Sequence, residues 1–290
     1  MTGQRHKVRA VSAVVTAAMS IVVATPALAG VPPVPIPQDP NDVAAVPGFI
    51  GSPARRATVA ARTVPQHPFM APNGRNNIHD DAYMTDTYTW GGPLGRNMEV
   101  RSTYQNAECA SITFDAEDRI VTICVGVEGP RLVLIDPGTL ETEAVLQLPP
   151  RSAGGGTGGS FFTDFSGGGY FYLDDRDRAV IPTNNRQIWI VGEVDTPAGT
   201  QFELQTVYDL STTVLPTESI VSALPDWDGR IWFVTTRGLV GFVDPRTEAV
   251  RSLRLEDEVI ANSFAVDETG GVFVVSDHAL YRFDADDSGP

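Results

Sequence analysis

Four segments of this chain align on an aspartate followed five positions later by an aliphatic residue. They are SITFDAEDRIVTIC at Asp115, YFYLDDRDRAVIPT at Asp174, SALPDWDGRIWFVT at Asp226 and SFAVDETGGVFVVS at Asp267. Each reads as a short strand, a turn rich in Asp, Gly and Arg, and a second strand. Aspartate at a strand end can accept hydrogen bonds from the backbone amides ahead of it, and glycine permits the positive φ that tight reversals need. The recurring polar stretches, DWDGR among them, are therefore read as turns. A calcium loop would need oxygens at alternate positions and a late bidentate Glu, which DWDGRIWFV lacks.

A third strand follows in LVLIDPGT, VGFVDPRT and LYRFDADD, and fourth strands can be read in EAVLQL, FELQTVYDL and AVRSLRL. Four antiparallel strands, repeated, describe the blade of a β-propeller. The expected fold is all-β, with about four to five four-stranded blades. The anchors lie 59, 52 and 41 residues apart. A bare blade needs ~40–45 residues, so the first two intervals carry insertions. One is the glycine-rich run from Arg151 to Gly169, whose formal match to G-x-G-x-x-G lacks the βαβ unit a dinucleotide site requires. After Asp267 only 23 residues remain, enough for two more strands but not for an outer one. Either RNMEVRSTYQ (96–105) closes the ring from the N-terminal side, or the ring is incomplete and leaves an exposed edge. The second alternative is the expectation.

The first residues carry an address. Arg5, Lys7 and Arg9 precede the apolar run AVSAVVTAAMSIVVA and the small-residue site Ala27-Leu28-Ala29. This is the pattern of a secretory leader cleaved near Ala29, and the run is short for the ~20 apolar residues of a spanning helix. The expected organisation is a signal peptide over 1–29, a Pro-rich extended spacer over 30–75 and the propeller over 76–290, secreted to the cell exterior or envelope. Without the leader the chain holds eighteen basic residues, all arginine, against 36 acids. Nucleic acid is excluded as a partner on charge, and no later segment is apolar enough to span a bilayer. Lys7 is the only lysine. Its loss removes Schiff-base and P-loop chemistry.

Cys109 and Cys124 are the only cysteines. In an exported chain an even count implies a disulfide. If Asp115 faces Asp118 across a two-residue loop, Cys109 falls opposite Cys124, and a register shifted by two keeps both on one face.

DWDGRIWFVTTRGLVGFVDPRTEAV and DETGGVFVVSDHALYRFDA resemble repeats of secreted bacterial propellers of the NHL-repeat, streptogramin-lyase-like and gluconolactonase-like groups. The likeness covers roughly residues 109–290. It implies a propeller fold and a shortened member of the group. Gluconolactonase-like enzymes hold a divalent metal at the channel mouth through Glu, Asn and Asp, and streptogramin lyases use a His with acids and magnesium. Neither set can be placed here by motif, so the resemblance assigns no catalytic residue.

The candidate ligands for a divalent cation are His79 and Asp81 in NNIHDDAYMTD, and Glu108, Asp164, Glu218 and Asn262, which are expected just before the inner strands, where a propeller's channel opens. Ser111, Tyr170, Ser222 and Ser263 stand in matching places four before the anchors. No serine lies in G-x-S-x-G, and His278 falls in the turn SDHAL, so no hydrolase triad is expected. The leading expectation is a secreted, non-enzymatic module that binds or scaffolds an extracellular small molecule or protein. The alternative is a metal-dependent lactonase or lyase of propeller type.

Overall fold

The structure is a computed structural model and describes residues 67–71, 77, 105, 107–150, 170–267 and 269–284. The segment expected to be a leader, most of the proline-rich segment, residues 96–104 and the glycine-rich insertion lie outside these residues.

The first sheet comprises β1 (Glu108–Phe114), β2 (Ile120–Gly126), β3 (Gly129–Ile135) and β4 (Thr142–Gln147). The second comprises β5 (Tyr172–Leu173), β6 (Ala179–Pro182), β7 (Gln187–Thr196) and β8 (Gly199–Asp209). The third holds β9 (Ile220–Pro225), β10 (Ile231–Thr235), β11 (Leu239–Val243) and β12 (Val250–Arg254), and the fourth β13 (Ala265–Val266), β14 (Gly271–Val275) and β15 (Leu280–Asp284). In every sheet consecutive strands are neighbours and run antiparallel. These are propeller blades. Among the described residues the sheets do not close into a ring, and the fourth sheet has three strands.

The anchoring aspartates make each reversal in the same way. Oδ1 of Asp115 accepts from the amides of Glu117 (3.0 Å) and Arg119 (2.7 Å). Asp174 does the same with Arg176 and Arg178, Asp226 with Asp228 and Arg230, and Asp267 with Thr269 and Gly271. Three residues after each anchor the backbone enters the left-handed region: Asp118 (φ 62°), Asp177 (60°), Gly229 (80°) and Gly270 (82°). Asp and Gly tolerate that conformation, which is why they recur there.

The second carboxylate oxygen holds a cation. Oδ2 of Asp115, Asp174 and Asp226 takes the guanidinium Nε of Arg119, Arg178 and Arg230 at 2.7, 2.9 and 2.6 Å. The fourth corner has Gly271 in place of the arginine. There the Arg282 Nε, from β15, lies 2.9 Å from where a Cβ on residue 271 would stand. A neighbouring strand thus supplies the charge that the turn itself lacks, and Arg282 is among the groups that hold the Asp267 carboxyl low.

Packing follows the strand period. One face of the second sheet (Leu173, Ala179, Ile181) joins Val121, Ile123, Leu132 and Leu134 of the first. The opposite face (Tyr172, Val180, Ile188) joins the third sheet. Every residue of β9, β10 and β11 is buried, as a blade covered on both faces requires. The fourth sheet packs Val272, Val274 and Phe283 inward, while Val275 and Leu280 on its other face are more than half exposed.

Cys109 and Cys124 are opposite one another and bonded, with S–S 2.05 Å. The route to that register differs from a two-residue loop. Asp115 pairs with Arg119 through its amide (3.1 Å), leaving three residues in the loop. A bulge between Ala110 and Thr113, with Ser111 at φ 61°, then restores the offset by one residue.

Residues His67 to Ala71 dock on the second and third sheets. The Ala71 amide donates to the Leu173 carbonyl at 3.0 Å, Asn77 bridges Tyr172, and Met70 and Ala71 are buried. Phe69 lies against Gly229, and the His67 ring sits 4.8 Å from that of Trp227.

Candidate binding site at the mouth of the sheets

Antiparallel order places the four aspartate corners at one end of the sheets. The starts of the first strands lie at the opposite end, the mouth. Sequence spacing aligned Ser111, Tyr170, Ser222 and Ser263 there. The structure joins three of the sheets at this point. The Tyr170 hydroxyl donates to Asn262 Oδ1 at 2.5 Å across 92 residues of sequence, and the hydroxyls of Ser222 and Ser263 meet at 2.7 Å. Asn262 Oδ1 also accepts from the Ser263 amide at 2.8 Å. Tyr170 and Ser222 are buried, whereas Asn262 is exposed. Burial pushes the Tyr170 phenol up, so it stays a neutral donor. The Asn262 side-chain amide nitrogen has no bonded partner among the described residues. Together these groups form a polar floor able to offer N–H and O–H groups to a neutral ligand.

The other candidates take different places. Glu218 is fully buried; its Oε2 accepts from Thr235 Oγ1 at 2.8 Å and its Oε1 pairs with Arg254 Nη1 at 2.8 Å. Arg254 also donates to the Arg237 carbonyl at 2.7 Å, so Glu218 ties together the strand ends of the third sheet. Glu108 is exposed at the start of β1, paired with Val125. Ser111 is buried in the bulge of β1. His79, Asp81 and Asp164 lie outside the described residues.

A cluster that sequence spacing did not single out stands at the same end, beside the fourth sheet. Ligand atoms of Glu258, Asp277 and His278 lie within 4.8 Å of one another. His278 Nδ1 is 3.3 Å from Glu258 Oε2 and 3.1 Å from Asp277 Oδ1. The Tyr281 hydroxyl donates to Glu258 Oε1 at 2.6 Å. Hydrogen bonds from Ser276 and Tyr281, and then His278, hold the Glu258 carboxyl down to about 2. One imidazole and two carboxylates suit a divalent ion. Asp277 and His278 are adjacent in the turn between β14 and β15, whereas Glu258 stands nineteen residues before Asp277 on the loop after β12, so no sequence motif signals the three together.

No family model matches this chain. An uncharacterised protein of Archaeoglobus fulgidus is 36% identical over 124 residues, which cover 41% of this chain and 23% of the relative. The chain thus matches about a quarter of that protein's length. Similar solved structures include a catalytically inactive virginiamycin B lyase from Staphylococcus aureus with quinupristin, at 12% identity and TM-score 0.42, covering 66% of this chain and 60% of the lyase. They also include the Myceliophteria thermophila Cps50 β-propeller domain, at 13% identity and TM-score 0.30, covering 65% of this chain and 68% of that domain. A third is an extracellular domain from B. thetaiotaomicron, at 14% identity and TM-score 0.36, covering 60% of this chain and 21% of that one.

Proposed function

We propose that the protein is an exported propeller module that binds a polar molecule at the mouth of its sheets. The observation carrying this reading is the pairing of Tyr170 with Asn262 and of Ser222 with Ser263, which gathers hydrogen-bonding groups from three sheets at one place. The disulfide and the basic-then-apolar N-terminus support export. Fractionation of producing cells, with N-terminal sequencing, tests the address. Recovery outside the cytoplasm with a chain starting near Gly30 is expected; an intact leader in the cytoplasm would end the reading. Thermal-shift measurements with glucose, N-acetylglucosamine and gluconolactone test binding, and Asn262→Ala should abolish any saturable shift.

The Glu258, Asp277 and His278 cluster favours a second reading, in which a divalent cation is bound and the module is a metal-dependent lactonase or lyase. Zn²⁺, Mg²⁺ and Ca²⁺ titrations against a His278→Ala variant separate the two.

A further inference from the structure

A cleft of about 140 Å³ opens on the outer part of the third sheet, at its corner end and away from the mouth. Arg230 from the first turn, Arg246 from the turn before β12 and Arg251 on β12 all line it, with Phe242 of β11. Three guanidinium groups at one cleft are unexpected in a chain with 36 acids and 21 basic residues.

The three arginines are not equivalent. Arg230 is fixed: Nε and Nη2 hold Asp226 and Asp228 at 2.6 and 2.8 Å, and its Cζ stands 5.1 Å from the centre of the Phe242 ring. Arg246 reaches Asp244, which also lines the cleft, through Nε at 3.1 Å. Arg251 lies directly across from Phe242 in the strand pairing. Its one side-chain hydrogen bond among the described residues is a 3.4 Å contact to the Val250 carbonyl, and no carboxylate there pairs with it. The Nη1 groups of Arg230 and Arg246 also have no bonded partner among the described residues. The cleft therefore offers spare planar N–H donors, with Arg251 the one guanidinium that has no carboxylate partner among the described residues.

We propose that this cleft binds the carboxylate group of a small molecule, with Arg251 as its principal partner and Arg246 as the second. Guanidinium forks match a carboxylate in two parallel hydrogen bonds. One guanidinium without a carboxylate partner suits a monoanion better than a dianionic phosphate, because Asp228 and Asp244, held by the neighbouring arginines, would repel the second charge. Ala249, half-buried at the edge of the cleft, gives the carbon skeleton behind the carboxylate an apolar contact, while Phe242 lies buried beneath Arg230.

The test is calorimetric titration of the full chain with sodium glucuronate and with sodium phosphate, at ionic strength fixed with sodium chloride. Saturable glucuronate binding is expected, weakened at least tenfold by Arg251→Gln and unchanged by Arg282→Gln on the fourth sheet. Arg251 is exposed, and an unchanged melting temperature in chloride alone verifies that its variant folds. Three outcomes would overturn the proposal: no saturable heat with glucuronate, equal binding by wild type and Arg251→Gln, or tighter binding of phosphate than of glucuronate.

Discussion

The buried carboxylate of Asp226 accepts a hydrogen bond from the Trp232 indole at 2.8 Å while holding Arg230 on the same oxygen at 2.6 Å. The turn, the cation and the largest core side chain of the third sheet thus meet at one carboxylate. Removing one member of a buried pair leaves the other charge uncompensated, a cost of ~3–5 kcal/mol. Asp226→Ala should lose that much stability. Asp267→Ala, at a half-buried corner whose turn lacks the arginine, should lose about 1–2 kcal/mol. Urea denaturation of both variants checks the order, and equal losses would contradict this account.

Arg119 of the first sheet pairs with Glu193 of the second, and with Asp115, Glu117 and Glu143. Asp177 closes the same seam by accepting the Ala116 amide at 2.8 Å. Burial pushes Glu193 up to about 7, against the pull of Arg119 and with the help of Asp115, Asp177 and Glu117. The folded state then binds more protons than the unfolded one between about pH 4.5 and 7. This contribution is full below pH 4.5 and is lost as the pH rises through 7. Glu193→Gln should flatten the fall in melting temperature between pH 5 and 8 by a few degrees, as scanning calorimetry would register.

His67 has the opposite sign. Burial lowers its imidazole to about 4, only partly offset by Asp226. Its neutral form belongs to the fold, so the stability it contributes is full above pH 6.5 and is lost as the pH falls through 4. His67→Gln should flatten the acid limb of the stability profile and leave the limb above pH 7 unchanged. The reverse pattern would refute the assignment.

Gly229 admits the Phe69 ring. A Cβ there would stand 2.7 Å from Phe69 Cε1, on a backbone already at φ 80°. Gly229→Ala should cost ~1–3 kcal/mol by overpacking and displace the 67–71 segment, giving faster chymotryptic cleavage after Phe69. Gly270 has a similar φ but open space around it. Gly270→Ala should therefore show the smaller backbone cost of about 1 kcal/mol, without the proteolytic effect.

The blades were legible because their signals are local. The anchoring aspartates, the left-handed third position and the alternation of strands all act within a few residues, so Asp115, Asp174, Asp226 and Asp267 each mark the end of a first strand. The cysteine pairing was also read correctly, though through too short a loop. The bulge at Ser111 cancels the extra turn residue, and nothing in its sequence announces that. The mouth was only partly visible. Spacing aligned Tyr170, Ser222 and Ser263, but it also grouped Glu218, which the fold buries on Arg254.

By itself, then, the sequence determined where the backbone reverses and which residues alternate toward the core, since turns and strand period are set by neighbours along the chain. Only the tertiary structure decided which charges meet. Arg282 serves the corner that Gly271 leaves without an arginine, and Arg119 crosses to Glu193 74 positions away. Three arginines from separate strands and turns share one cleft. Those encounters depend on how sheets stack and how far each side chain reaches, and sheet stacking brings together residues that no short spacing in the chain relates.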